Sequence, residues 1–319
     1  MADIVTGDIG ACGAAATRGG PEALIMVPPL RCAIHAANWP ASANRYPRNA
    51  MMPTTDARFA GTLPYHYERL LVPMLFEPYA LDLVRRAAGL APAQVLEIAA
   101  GTGIVTRHLA AALPAAHIVA TDLNPDMLAV AQSAVAAPLV TWRQADAMAL
   151  PFGDGTFDLA LCQFGVMFFP DKPAAFAQVR RVLRPGGRFL FNVWDALDTN
   201  ELASVLQAAM DTCFPGDPPR FFTRTPHGYH DRAAIAGDLA LAGFARPSID
   251  TVALPANAPG ARAVAEGFCQ GTPLRAEIEA RGGDVIAVTA AAADHLERHF
   301  GAGEFRAGLQ AHVISALAA

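Results

Sequence analysis

Lysine is almost absent from this chain. Lys172 is the only one among 24 basic residues, and charged residues make up just 17% of the sequence, where about a quarter is usual. The formal net charge is −5, which excludes a basic surface for nucleic acid. Arginine in place of lysine, with abundant Ala, Gly and Pro, is the composition of a GC-rich genome, so arginine clusters carry little functional weight. Five cysteines occur, Cys12, Cys32, Cys162, Cys213 and Cys269. None forms a CxxC pair and no Cys/His spacing suits zinc, which leaves reduced thiols, no metal site and a cytoplasmic chain as the expectation. No apolar run approaches the ~20 residues of a membrane span. The N-terminus has no basic segment leading into an apolar one, as a secretory signal would. What is present in excess is hydrophobic side chain, 53% of 319 residues. That predicts a buried core with an apolar cavity or an oligomer interface, a homodimer being one option.

Residues 1–50 differ from the rest. "GPEALIMVPPLRCAIHAANWPASANRYPRNA" carries Pro21, Pro28, Pro29, Pro40 and Pro47 and no sustained period, so a disordered or loosely attached tail is expected. A start codon assigned upstream of a true one at Met51 or Met52 accounts for such a tail. Residues 51–319 read as one domain. Apolar runs at 94–99, 117–122, 139–146, 157–164 and 187–194 alternate with helical patterns at 103–112, 125–136 and 173–183. Short, nearly continuous apolar strands alternating with helices predict an α/β fold, a Rossmann-like doubly wound parallel sheet. A helix at 231–242 and strands at 244–254 and 308–318 follow, and the helical stretch 258–300 interrupts the alternation as a lid.

"VLEIAAGTGIVTRHLA" (95–110) reads as strand, glycine turn and helix. A dinucleotide fingerprint requires G-x-G-x-x-G, but the third glycine position is Thr106. Glu97 lies inside the strand, where a carboxylate would repel a pyrophosphate. Asp122 follows 25 residues later at the second strand's end, and Asp146 follows 24 residues after that. Acids at three successive strand ends suit a cationic head, a ribose and an adenine, with no phosphate. S-adenosylmethionine (SAM) has that make-up. A single Asp after a strand is more often a turn or capping residue. Asn124-Pro125, however, already reads as a helix cap, which would leave Asp122 free.

These segments resemble the class I SAM-dependent methyltransferases, and are similar to the ubiquinone/menaquinone-biosynthesis type. "VLEIAAGTG" is similar to the family's first motif, with Ala99 in place of its first glycine. "ATDLNPDML", "ADAMALPFGDGTFDLALCQFGVMFFPD" and "RRVLRPGGRFLFNVW" resemble the later ones. The resemblance covers about residues 90–195. "LPYHYERLLVPMLFEPYA" (63–80) and "GFCQGTPLRAEIEAR" (267–281) resemble segments of an uncharacterised bacterial branch, in which the first is a helix over the cofactor. The resemblance implies a seven-stranded sheet of order 3-2-1-4-5-7-6 with an antiparallel last strand. The expected cofactor contacts are Tyr67, Glu97, Ala99, Gly101, Gly103, Asp122, Leu123, Met127, Asp146, Ala147 and Gln163.

Several smaller groups remain. Arg181 and Arg184 read as helix C-terminal cations, and Cys162 as buried filler. Phe164, Met167, Phe168 and Phe169 divide between core and an apolar acceptor pocket. His230 is the candidate catalytic group, against a loop histidine in solvent. The expected activity is methyl transfer to a small, fairly apolar molecule. A SAM-binding sensor or partner subunit without transferase activity would keep the same motifs. An NAD-dependent dehydrogenase would share the fold, but Glu97 and Thr106 oppose it.

Overall fold

The computed structural model describes residues 55–318; the expected tail at 1–50 lies outside them. Seven strands form one sheet in the order β3-β2-β1-β4-β5-β7-β6, as anticipated. They are β1 (Gln94–Ile98), β2 (His117–Asp122), β3 (Val140–Gln144), β4 (Phe157–Gln163), β5 (Leu183–Trp194), β6 (Phe244–Ala258) and β7 (Phe305–Ala318). The first five are parallel, and β7 runs antiparallel between β5 and β6. The chain winds outward through β1, β2 and β3, then returns to set β4 beside β1. The crevice of a doubly wound sheet opens at that reversal, beyond the strands' carboxyl ends.

Burial explains the apolar runs. Val95, Leu96, Ala160, Leu161, Phe189 and Phe191 are fully enclosed between helices on the two faces, each side chain larger than the alanine contributing roughly 1.5–3 kcal/mol. β3 is an edge strand and alternates between exposed and half-buried positions. Helices start where short acids cap them: Asp171, Asp231 and Asp284 each accept a main-chain N–H of the following turn. Arg181 lies in the last turn of the helix Lys172–Val182. Arg184 does not; it belongs to β5, where it pairs with Asp158 at 2.9 Å.

The N-terminal segment is less regular than its sequence suggests. A short helix, Leu63–His66, widens into a π-helical stretch, Tyr67–Phe76, before the α-helix Glu77–Ala88. Pro73 sits inside the stretch and has no N–H for the usual ladder. Between β6 and β7 lie the helices Ala261–Gly271, Leu274–Ala280 and Val285–Phe300, the expected insertion. The first packs tightly on the π-helical stretch. A Cβ on Gly267 would meet Leu71 Cδ2 at 2.7 Å, and one on Gly271 would meet the Tyr67 main-chain nitrogen at 3.0 Å. Those two glycines, one turn apart, let this helix approach the π-helical stretch closely.

Candidate active site

The turn after β1 is built from left-handed backbone. Ala99, Gly101 and Gly103 have φ of 55°, 56° and 86°. A Cβ on Gly101 would project into open space, whereas one on Gly103 would crowd Ala131 and Trp142 at 3.1 Å. Gly101 therefore offers bare backbone to a ligand, and Gly103 permits packing. Ala99 holds a conformation that costs an L-residue about 1–2 kcal/mol. It also forces its neighbour: a Cβ on Gly165 would meet Ala99 Cβ at 2.6 Å and Cys162 Sγ at 2.7 Å.

The three acids take different positions. The Glu97 carboxylate is only 2% exposed and accepts the Thr106 hydroxyl at 2.6 Å. The Thr106 hydroxyl holds it in place within the core. Burial, with the Asp122 charge adding, raises its pKa to about 8 against the bond from Thr106. Asp122 is not left free by its neighbour. Its Oδ2 accepts Gly101 N–H and its Oδ1 accepts Asn124 N–H, both at 2.8 Å. Asn124 makes no side-chain cap, because its Oδ1 accepts Phe59 N–H and its amide donates to Ala57 O and Asp122. Burial raises the Asp122 pKa, against those donors. Asp146 is exposed and caps the short turn Ala147–Ala149 by accepting Met148 N–H at 2.8 Å.

The remaining expected contacts surround this turn. Met127 and Ala147 are buried; Leu123 is exposed, and its carbonyl accepts Gln144. Gln163, at the end of β4, donates to Phe76 O at 3.2 Å, while its Oε1 is sealed in without a partner. Thr102 Oγ1 is orphaned likewise. Tyr67 stacks on Phe76 at 4.9 Å. Burial, then the charges of Asp122 and Glu68, drive its phenol pKa upward.

Beyond β4 and β5 the environment changes to aromatic. A cleft of about 680 Å³, counted with its mouth, is lined by Tyr67, Phe76, Phe164, Met167, Phe168, Trp194, Phe221, Phe222 and Phe268 among others. Phe169 is buried outside that lining. Phe164 has φ of 47°. Its strained backbone is held by Asn192 Oδ1, which accepts its N–H at 2.9 Å, and by stacking on Trp194 at 3.8 Å. Lys172, the sole lysine, donates to Met167 O and Phe169 O and so pins the loop carrying these side chains. Burial lowers its pKa to about 8, opposed by Asp238 and Asp171. His230 is absent from the lining; His227 is in it. The expectation from sequence rests on His230. The choice follows from the turn that donates His227 N–H to Phe222 O and draws Nδ1 onto Asp195 O.

Residues 95–187 match the family model described as a methyltransferase domain. The chain carries a methyltransferase domain. Over 112 residues it is 43% identical to the demethylmenaquinone methyltransferase of Thermus thermophilus, covering 33% of this chain and 51% of that one. An uncharacterized protein of Mycobacterium bovis is 43% identical over 104 residues, 32% of this chain and 37% of its own length. The chain thus spans about a third to a half of these curated relatives. Among solved structures, phosphoethanolamine N-methyltransferase 2 of Haemonchus contortus, in complex with S-adenosyl-L-methionine, aligns with a TM-score of 0.51 and 15% identity. That alignment covers 80% of this chain and 56% of that one. The likeness concerns the fold alone. The match ends before Trp194, His227 and the helical insertion, so the matched segment contains the glycine turn and acids but only part of the aromatic cleft.

Proposed function

We propose that the protein is a SAM-dependent methyltransferase acting on a small, largely apolar acceptor. One juxtaposition carries this: a cradle of glycine backbone and buried acids opens beside an aromatic cleft at the ends of β4 and β5. The cradle suits a cation. Glu97 and Asp122 are buried near each other with raised pKa values, so a phosphate there would add like charge, and a sulfonium or ammonium would favour their ionised forms. Gln163, whose Oε1 is buried without a partner, would have to turn toward the crevice to meet an amino-acid ammonium. Asp122 holds the turn through Gly101 and is the nearest candidate for ribose hydroxyls, with Asp146 and Ala147 toward the adenine.

Bound there, SAM would supply a methyl group whose bond to sulfur breaks, leaving its electron pair on sulfur, as the acceptor's lone pair or carbanion forms the new bond. The chain's work is to align the two reactants and exclude water. Tyr67 and the glycine-seated insertion cover the crevice, and Phe164 with Trp194 gives a planar acceptor a stacking surface. Two relatives carry names from quinone biosynthesis, the demethylmenaquinone enzyme above and a ubiquinone/menaquinone C-methyltransferase of Saccharophagus degradans, which supports an apolar ring acceptor.

Calorimetric titration checks the first half: S-adenosylhomocysteine is expected to bind and NAD is not, and the reverse would falsify the assignment. Incubation of small-molecule extracts with SAM, followed by mass spectrometry, checks the second half through a product heavier by one methylene. Cofactor binding with no such product in any extract would favour a sensor.

A further inference from the structure

We propose that His227 is the specificity-determining residue of the aromatic cleft, and that its Nε2 accepts a hydrogen bond from a hydroxyl or N–H group on the acceptor ring. This rests on the functional proposal for the cleft's purpose, but the geometry concerns the histidine alone. His227 is 6% exposed and lines the cleft. Its Nδ1 lies 2.8 Å from Asp195 O. A carbonyl oxygen only accepts, so Nδ1 carries the hydrogen. Nε2 is then the bare nitrogen of a neutral ring. It has no partner among the described residues, and it is not among the side-chain atoms sealed away without one. The ring stays neutral because burial drives its pKa down to about 4, with the His230 charge acting in the same sense and Asp195 opposing.

The other polar side chains of the cleft are differently placed. Asn200 spends its amide on Asp195 O, Ala196 O and Gln310 O and its oxygen on Gln310 N–H. Thr272 donates to Phe268 O. The Tyr67 hydroxyl, able to donate as well as accept, lies on the cofactor side. His227 therefore supplies a lone pair with no hydrogen in the midst of aromatic rings. A ligand covering it without offering a donor strands a buried acceptor, a loss of about tenfold or more in affinity. The cleft is built to prefer aromatic rings that carry a donor over rings of equal shape that do not.

The test uses the full-length protein and two planar probes, 2-naphthol and 2-fluoronaphthalene, titrated calorimetrically at pH 7. The ratio of their affinities is expected to favour the naphthol, and to fall by about tenfold in His227→Phe, which keeps an aromatic wall. His227→Gln, whose carbonyl can accept, should retain part of the preference. An unchanged ratio in His227→Phe overturns the proposal. Should that variant not fold, long-range proton–nitrogen spectra of the wild type decide. The Nδ1–H imidazole assigned to His227 by its absence from the His227→Gln spectrum should have an Nε2 signal that moves with naphthol and stays put with fluoronaphthalene. His230, whose Nδ1 likewise faces a carbonyl, His227 O at 2.8 Å, should respond to neither. No such signal, or an equal response to both probes, likewise overturns it. Failure of S-adenosylhomocysteine to bind would strike the functional proposal and leave the naphthol ratio intact, so the two can fail separately.

Discussion

The cradle and the cleft are adjacent, yet they are made in opposite ways. The cradle comes from contiguous sequence: Glu97 through Thr106 is one strand end, one turn and the start of one helix, completed by Asp122 from the neighbouring strand. Its groups are polar, buried and mutually bonded. The cleft gathers Tyr67, Phe164, Trp194, the turn from Phe222 to His227, and Phe268 from five separate segments. It is mainly apolar, with Tyr67, Asn200, His227 and Thr272 as its hydroxyl, amide and imidazole side chains. A cofactor common to many reactions can be held by a short local motif. An acceptor is selected by whatever walls the rest of the chain brings together.

The largest expected effect belongs to the cradle. Glu97 has a folded pKa near 8 against an ordinary 4.5. A raised pKa contributes stability that is fully present below 4.5 and is lost as pH rises through 8. The loss amounts to roughly 4–5 kcal/mol. Glu97→Gln keeps an acceptor for Thr106 and cannot ionise. Thermal melts from pH 5 to 8 should therefore fall more steeply for the wild type than for the variant. Parallel curves would mean that the Glu97 proton is not linked to folding.

A crossed pair of variants separates the two regions. Asp122→Ala should weaken S-adenosylhomocysteine by about tenfold to hundredfold, a loss of roughly 1.5–3 kcal/mol, while naphthol binding stays within a factor of two or so. Trp194→Leu should do the reverse, costing naphthol about tenfold through the lost stacking and sparing the cofactor product. Calorimetry on both variants with both ligands tests this. If either substitution moves the two affinities together, cradle and cleft form one coupled site.

The smallest effect tests the departure from the glycine pattern. Ala99→Gly relieves a left-handed alanine but gives the unfolded chain more freedom, so the gain should be about 1 kcal/mol or less, seen as a modest rise in melting temperature. The same change should make Gly165→Ala less destabilising, since it removes the 2.6 Å clash with the Ala99 methyl and leaves the 2.7 Å one with Cys162 Sγ. A Gly165→Ala variant equally unstable in either background would place the conflict with Cys162 instead.

The sheet was legible in the sequence because its strands are short apolar runs separated by turns, and parallel strands covered on both faces must be written that way. Strand ends shifted by up to four residues, β5 starting at Leu183 instead of 187 and β6 running to Ala258 instead of 254, since the ends of ladders depend on neighbours. The turn was legible for the same local reason. The roles of its acids were not. Nothing in the spacing of Glu97 and Thr106 shows that nine residues of strand, turn and helix fold the hydroxyl onto the carboxylate. Nor does Asn124-Pro125 reveal that Phe59, 65 residues away, claims the capping oxygen.

What the sequence determined by itself was therefore the architecture and the place of the cradle, through local periodicity and glycine conformations that need no distant partner. Tertiary structure alone decided which histidine meets the cleft. His227 and His230 stand three residues apart in one loop. Only the packing of that loop against the end of β5, with Nδ1 of one ring held by Asp195 O, turns His227 into the wall and leaves His230 outside it.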